Sequence, residues 1–369
     1  MKNIKTLILV GGGHGHLYLL KQLITEKIPD YEVILISSGP RQYYSGMASA
    51  YVEGIYNESA ISVDLHHMCH LAGVTFIESD VTGFDPEAKH VMTKEGQRIN
   101  FDLISFDTGS LTMTDHIPGA KSFAKKVKPL GQLTEVKRQI DLFTGESLKI
   151  TIVGGGASSV ELALAMKGYG TQLKRGISMT IVAGHGGILQ NYKAKLRRYS
   201  EQSLKKQGIE VHSGAHVTKI SEDTVVLQNG DQIDHDIVLL ATGSVAHEFY
   251  RNSGVQVDAK GYMRVNSFLQ NIDYPFIFGI GDCIVFDAYD YVTKVGVYAV
   301  KEGPILWQNL KAYSQEEPLK TYLPQEKYLS ILSTGNKSGV LEYYGLVMHG
   351  SWVWQLKNWI DVKFIQQFQ

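Results

Sequence analysis

Cysteine is nearly missing from this sequence of 369 residues: Cys69 and Cys283 are the two it has, with no Cys-x-x-Cys or Cys-x-x-x-x-Cys. That excludes a disulfide framework and a redox dithiol, and it suits a reducing cytoplasm. No apolar run is long enough to span a bilayer. A strand pattern begins almost at the first residue, which leaves no room for a signal peptide. Neither sign of charge dominates, since 36 Lys and Arg stand against 37 Asp and Glu, so no electrostatic footprint for nucleic acid is present. What remains is ordinary globular material, 44% hydrophobic and 20% charged, in a chain long enough for two cores with a tail left over.

Glycine, by contrast, is plentiful and placed. Gly11-Gly12-Gly13 follows an apolar run at 6–10, and Gly154-Gly155-Gly156 follows another at 150–153. Each triplet opens a stretch of helical character, 14–27 and 157–168. A buried strand turning through glycines into a helix N-terminus is a site for a pyrophosphate. Glycine allows the tight turn and close backbone approach, and free amides with the helix dipole face the anion. One such turn is weak; two suggest a pair of dinucleotides with electron transfer between them.

The duplication extends further. The segment 94–110 has a counterpart at 228–244, each running through a turn, a strand, an Asp, an apolar strand and then Thr-Gly-Ser. The glycine turns and the Thr-Gly-Ser segments are offset by nearly the same length, as one unit used twice requires. Strand-like runs at 6–10, 32–37, 74–77, 102–107, 149–153, 178–183, 209–211, 236–241 and 275–279 alternate with helical stretches. That pattern favours parallel sheets covered by helices. The expected fold is α/β: two Rossmann-like three-layer dinucleotide-binding domains plus a C-terminal α+β region. The first domain takes 1–112 and 244–310, the second is inserted at 113–243, and the C-terminal region with its aromatic-rich tail takes 311–369.

Several motifs together resemble the FAD/NAD(P)-binding pyridine nucleotide-disulfide oxidoreductase superfamily. They are Val10-Gly11-Gly12-Gly13-His14-Gly15-His16, Tyr44-Ser45-Gly46-Met47, Gly281-Asp282-Cys283, the run 294–300, and the segment from Trp354 to Asp361. The closer resemblance is to the branch associated with selenide, water dikinase, similar to type II NADH dehydrogenases and sulfide:quinone reductases; the dikinase half is absent. The resemblance implies FAD in the first unit and NAD(P)H as co-substrate in the second. Sulfide:quinone reductases rely on a cysteine pair, so direct sulfide oxidation is not expected here.

For FAD the resemblance points to Gly11, Gly13, His14, Gly15, Ser37, Tyr44, Val81, Thr108, Gly109, Gly281 and Asp282. His16 stands where the fingerprint has its third glycine, so its side chain must widen the helix–strand contact or point outward. Ser37 follows the second strand where an acid would grip a ribose hydroxyl. Asp282 would hold the ribityl or phosphate end, or else cap a helix. Lys294 precedes a helix expected beneath the flavin pyrimidine ring, where an ammonium would stabilise negative charge; the alternative is a solvated lysine. For the nicotinamide nucleotide the residues are Gly154, Gly156, Ser158, Ser159 and Gly243. Glu161 would lie close to the nicotinamide, or be an exposed first-turn glutamate. No acid ends the next strand, and His185, Arg197 or Arg198 are available to a 2′-phosphate. Lys294 and Glu161 are the catalytic candidates.

His66 and His70 share a helix face, but two such residues are a fragment of a metal site, and none is expected. Ser62 can cap that helix and Gly73 can end it. The glutamines that type II dehydrogenases carry below the quinone are replaced by Val297 and Lys301. In the tail, Leu356, Trp359, Ile360, Lys363 and Phe364 fall near one helical face, with Phe368 following. That stripe suits a membrane surface, a second subunit, or docking on the chain's own first domain. The leading reading is a FAD-dependent NAD(P)H oxidoreductase without a redox disulfide, passing electrons to a small-molecule or quinone-like acceptor. The alternative is a flavin-based redox sensor or scaffold with little turnover.

Overall fold

The computed structural model describes residues 4–114 and 116–369. The chain opens with strand β1 (Lys5–Val10), whose last four residues are buried, as a central parallel strand requires. The first glycine turn leads into helix α1 (His14–Thr25), which buries Leu17, Leu19, Leu20 and Leu23, and the chain returns as β2 (Tyr31–Ser37). Helix α2 (Leu65–Ala72), strand β3 (Thr75–Glu78), an antiparallel meander over 81–100 and strand β4 (Leu103–Phe106) follow.

The second unit repeats the plan. It runs β5 (Ala124–Lys126), β6 (Ser147–Val153), helix α3 (Ala157–Gln172), β7 (Gly176–Ala183) and β8 (Glu210–Ser213). A second meander over 217–234 leads to β9 (Ile237–Leu240). The chain then comes back as β10 (Ile277–Gly279) and helix α4 (Gly296–Ser314). It closes with the antiparallel strands β11 (Ser330–Gly335), β12 (Ser338–Tyr343) and β13 (Leu346–Gly350) and helix α5 (Ser351–Ile365).

Two five-stranded parallel sheets result, ordered β10-β4-β1-β2-β3 and β5-β9-β6-β7-β8. In each, the strand before the glycine turn is central and the strand before Thr-Gly-Ser lies on its other side. Strand order therefore reverses between β1 and β4, and again between β6 and β9. A crevice opens at the carboxyl ends of both pairs, where ligands bind in such sheets. The segments crossing between the sheets pair with each other, Leu111 with Val245 and Thr112 with Ser244. The α/β expectation holds.

Two local expectations need correction. Helix α2 is capped by Asp64, whose carboxylate accepts the His67 N–H at 2.9 Å, and not by Ser62. Ser62 lies in a short strand and its hydroxyl donates to the Glu58 carbonyl, which places it too early to reach the helix amides. Gly73 does end the helix, at φ 61°. The buried side of α5 carries Val353, Asp361 and Ile365, while Trp359 and Lys363 face outward. Hydrophobicity alone misplaced this face, because a charged pair, Lys357 and Asp361, is what turns inward.

Candidate functional site

Gly11 has φ +88°, and a Cβ there would lie 2.4 Å from the Asp107 carbonyl oxygen; one on Gly13 would lie 2.2 Å from the Asp107 carboxylate. The first turn is thus pressed onto the end of β4, and glycine is required at both positions. Asp107 Oδ2 accepts the Gly15 N–H at 2.8 Å and the His16 N–H at 3.0 Å. His16 does not point outward. Its ring is fully buried between α1 and β4, with Nδ1 2.6 Å from the Gly11 carbonyl and Nε2 2.9 Å from Ser105 Oγ. Burial pulls its pKa down to about 4, so the neutral ring donates from Nδ1 and accepts at Nε2. Close helix packing passes instead to Gly15, since a Cβ on Gly303 would lie 3.3 Å from the Gly15 Cα.

His14 begins α1, and its Nε2 is buried without a partner. Its ring packs against Tyr44 and Phe364, with centroids 5.3 Å and 5.7 Å away. Burial keeps it neutral as well, with a pKa near 4. The Asp282 carboxylate receives Lys128 Nζ at 2.8 Å and Ser110 Oγ at 3.2 Å. Burial works against its charge, but Lys128, assisted by Lys294 and Ser110, holds its pKa below the usual carboxylate value. Thr108 Oγ1 lies 2.9 Å from the Tyr250 hydroxyl. Gly109, at φ +67°, has open space where a side chain would stand. Gly281 donates its N–H to Glu302 at 2.6 Å. Ser37 closes β2 and accepts the Ser79 N–H at 2.9 Å, and Val81 opens the meander opposite Thr93. Lys294 is not the solvated lysine of the alternative reading. It is half-buried, donates to the Ile284 carbonyl and stands 4.0 Å from the centre of the Tyr262 ring. Burial lowers its pKa, and Asp282 pushes back.

At the second turn Gly154 has φ +134° and a Cβ would lie 2.2 Å from the Ala241 carbonyl oxygen. Gly156 faces open space, Ser158 is exposed beside it, and no side chain caps α3. Ser159 is fully buried with its hydroxyl unpartnered. Gly243 accepts the Met113 N–H at 3.0 Å. Glu161 is not exposed: its carboxylate accepts the Ser333 N–H at 2.7 Å from β11. Burial raises its pKa, with Lys357 opposing. His185 packs edge-on against His216, centroids 4.5 Å apart, at the end of β7. Arg197 turns back to the Gln190 carbonyl at 3.4 Å, and Arg198 is exposed.

Four residues not singled out in the sequence stand in the middle of this arrangement: Asp107, Lys128, Lys357 and Asp361. Lys357 Nζ donates to Asp361 Oδ2 at 2.6 Å and to the Gly46 carbonyl, and the Tyr44 hydroxyl donates to Asp361 Oδ1 at 3.0 Å. Helix α5 thereby joins Tyr44, beside the first turn, to the surroundings of Glu161, beside the second. A signal for Asp107 existed: in the duplicated segment its counterpart is Ala241. The residues fit FAD at the first turn, where His14 offers a buried ring nitrogen without a partner and the glycines bring no side chain of their own to an anion position that the Asp107 carboxylate borders. The open amides at the head of α3 fit a second dinucleotide.

A family model described as pyridine nucleotide-disulphide oxidoreductase matches residues 5–310. The NADH dehydrogenase-like protein YutJ of Bacillus subtilis is 24% identical across 93% of this chain and 93% of its own length. Demethylphylloquinone reductase NdbB of Synechocystis is 27% identical across 75% of this chain and 71% of its own. The structure of NDH2 from Plasmodium falciparum in complex with NADH has the same fold, with a TM-score of 0.80 at 14% identity over 98% of both chains.

Proposed function

The chain belongs to the pyridine nucleotide-disulphide oxidoreductase family and is an NAD(P)H-dependent flavoenzyme; we propose that FAD lies at the first glycine turn, the nicotinamide nucleotide at the second, and that a quinone-like acceptor takes the electrons. When bound, FAD supplies a two-electron relay between donor and acceptor. The protein supplies position and charge. The Gly11–Gly13 backbone and His14 Nε2 hold the pyrophosphate, and Asp282 holds the ribityl end. Lys294 biases the site toward negative charge. Gly156 and Ser158 receive the second pyrophosphate, and Glu161 orients the nicotinamide.

One observation carries this reading: α5 inserts Lys357 and Asp361 between Tyr44 and Glu161, so the heads of the two glycine-turn helices converge on one buried spot. A relative named as a quinone reductase supports the acceptor class. The two cysteines are buried and far apart in sequence, which fits chemistry without a dithiol. Trp352, Trp359, Tyr344 and Leu346 are exposed on α5 and the β12–β13 turn, and we assign them to contact with the membrane that carries the acceptor.

Rapid mixing of the FAD-loaded chain with NADH or NADPH tests the proposal. Fast bleaching, followed by turnover with a soluble quinone, is the expected result. Slow bleaching with a persistent charge-transfer band would sink the enzyme reading and leave a redox sensor. In the same assay, Lys294→Met should retain FAD with a lowered reduction potential, and an unchanged potential removes that lysine from the mechanism.

A further inference from the structure

The polar cluster behind the first glycine turn has no counterpart behind the second. Where the second unit has Ser159, Leu239 and Ala241, the first has His16, Ser105 and Asp107. These three close on one another. His16 bonds Ser105 through its ring and Asp107 through its backbone N–H. Asp107 is 4% exposed. Its carboxylate lies directly against the turn, since a Cβ on Gly13 would fall 2.2 Å from it and one on Gly281 2.9 Å. Helix α3 has no side chain in the equivalent place. The second unit therefore presents its helix head open to an anion, whereas the first already meets two amides with a carboxylate of its own.

We propose that Asp107 is a binding residue of the first site that competes with the dinucleotide's pyrophosphate for the amides at the head of α1, so that FAD binding places one proton on Asp107. The chemistry requires a change of state. An ionised carboxylate only accepts hydrogen bonds, and it repels a diphosphate held at the same amides. A protonated one keeps a carbonyl oxygen for an amide and turns an O–H toward a phosphate oxygen. The proton comes from solvent and returns there when FAD leaves.

The neighbours of Asp107 favour that switch. From α1 come His14 and His16, both kept neutral by burial. Beyond β10 stands Asp282, a like charge, and from α4 comes Glu302, pushed up to about 8 by burial. Cys283 and Tyr250 are both kept protonated by burial. Lys128 and Lys294 turn to Asp282 and to the Ile284 carbonyl. Burial raises Asp107 to about 7, against the pull of the His16 and Gly15 amides.

The inference rests on FAD occupying the first turn, and its test separates the two. The FAD-loaded full chain is diluted at pH 6, 7 and 8, free FAD is read from the return of its fluorescence, and released protons are counted with an indicator dye. Affinity should fall about tenfold from pH 6 to pH 8, with about one proton released per FAD at pH 8 and almost none at pH 6. Asp107→Asn should hold FAD with no pH dependence; if it does not fold, the proton count on the natural chain decides alone. FAD held with pH-independent affinity and no proton release overturns the inference and leaves the FAD site standing. An Asn variant that keeps the natural slope also overturns it. A chain that holds no FAD at all overturns both.

Discussion

Asp282 keeps its charge in a largely buried place because Ser110, beyond β4, and Lys128, beyond β5, both reach it. Its folded pKa lies below the ordinary carboxylate value. A depressed carboxylate adds stability above its unfolded pKa and loses it as pH falls through the folded one. Lys128→Ala should therefore lower the unfolding free energy by about 1–2 kcal/mol at pH 7. The lysine side chain is 39% exposed, which keeps the effect small. Denaturant titration at pH 7 and pH 3 checks it: the deficit should shrink as the pH falls toward the depressed Asp282 pKa, and an equal deficit at both removes the ion pair as its cause. Nothing near Lys128 in the sequence marks this role, because the partner lies more than a hundred residues away and the pairing exists only across the fold. Asp282 itself was legible, carried by Gly281-Asp282-Cys283. His16 was legible as an anomaly, though not its solution, because the Ser105 that receives it arrives from another strand.

At the scale of elements, nine of the ten parallel strands were readable within a few residues, since continuous apolar runs admit few other structures, whereas β5 was missed because Ala124-Lys125-Lys126 carries no apolar run. Helix α5 was readable as a helix, but its orientation was not. Its Lys357–Asp361 pair is only 13% and 9% exposed. Removing one partner leaves a buried charge, so Asp361→Ala should cost about 3 kcal/mol or more. Lys357→Met combined with Asp361→Ala should recover most of that loss. A double-mutant cycle in urea measures it, and additive losses would show that the pair does not act as a unit. An amphipathic pattern assigns charges to the outside by default; the Gly46 carbonyl and Tyr44 hydroxyl that accommodate these two belong to a distant segment.

Across the whole molecule, the duplication produces two sheets of one topology whose crevices are bridged by a C-terminal layer. That layer presents Trp352 and Trp359 outward at 45% and 59% exposure, and Tyr344 and Leu346 at 67% and 56%. No helix among the described residues is long and apolar enough to cross a membrane. The exposed aromatics are the proposed lipid contact, so replacing both Trp352 and Trp359 by Ser should weaken co-sedimentation with mixed zwitterionic and anionic phospholipid vesicles roughly tenfold. Undiminished sedimentation would assign this face to something other than lipid.

The amino-acid order alone determined the two glycine turns, their flanking strands and the doubled plan, because these depend on local backbone freedom and on burial patterns a few residues long. The tertiary structure decided which polar groups meet: Asp107 with the amides of α1, Lys128 with Asp282, and α5 with the surroundings of both glycine turns. Charge and hydrogen-bond pairing act through space over a few ångströms, and that proximity comes into being only when segments remote along the chain are packed together.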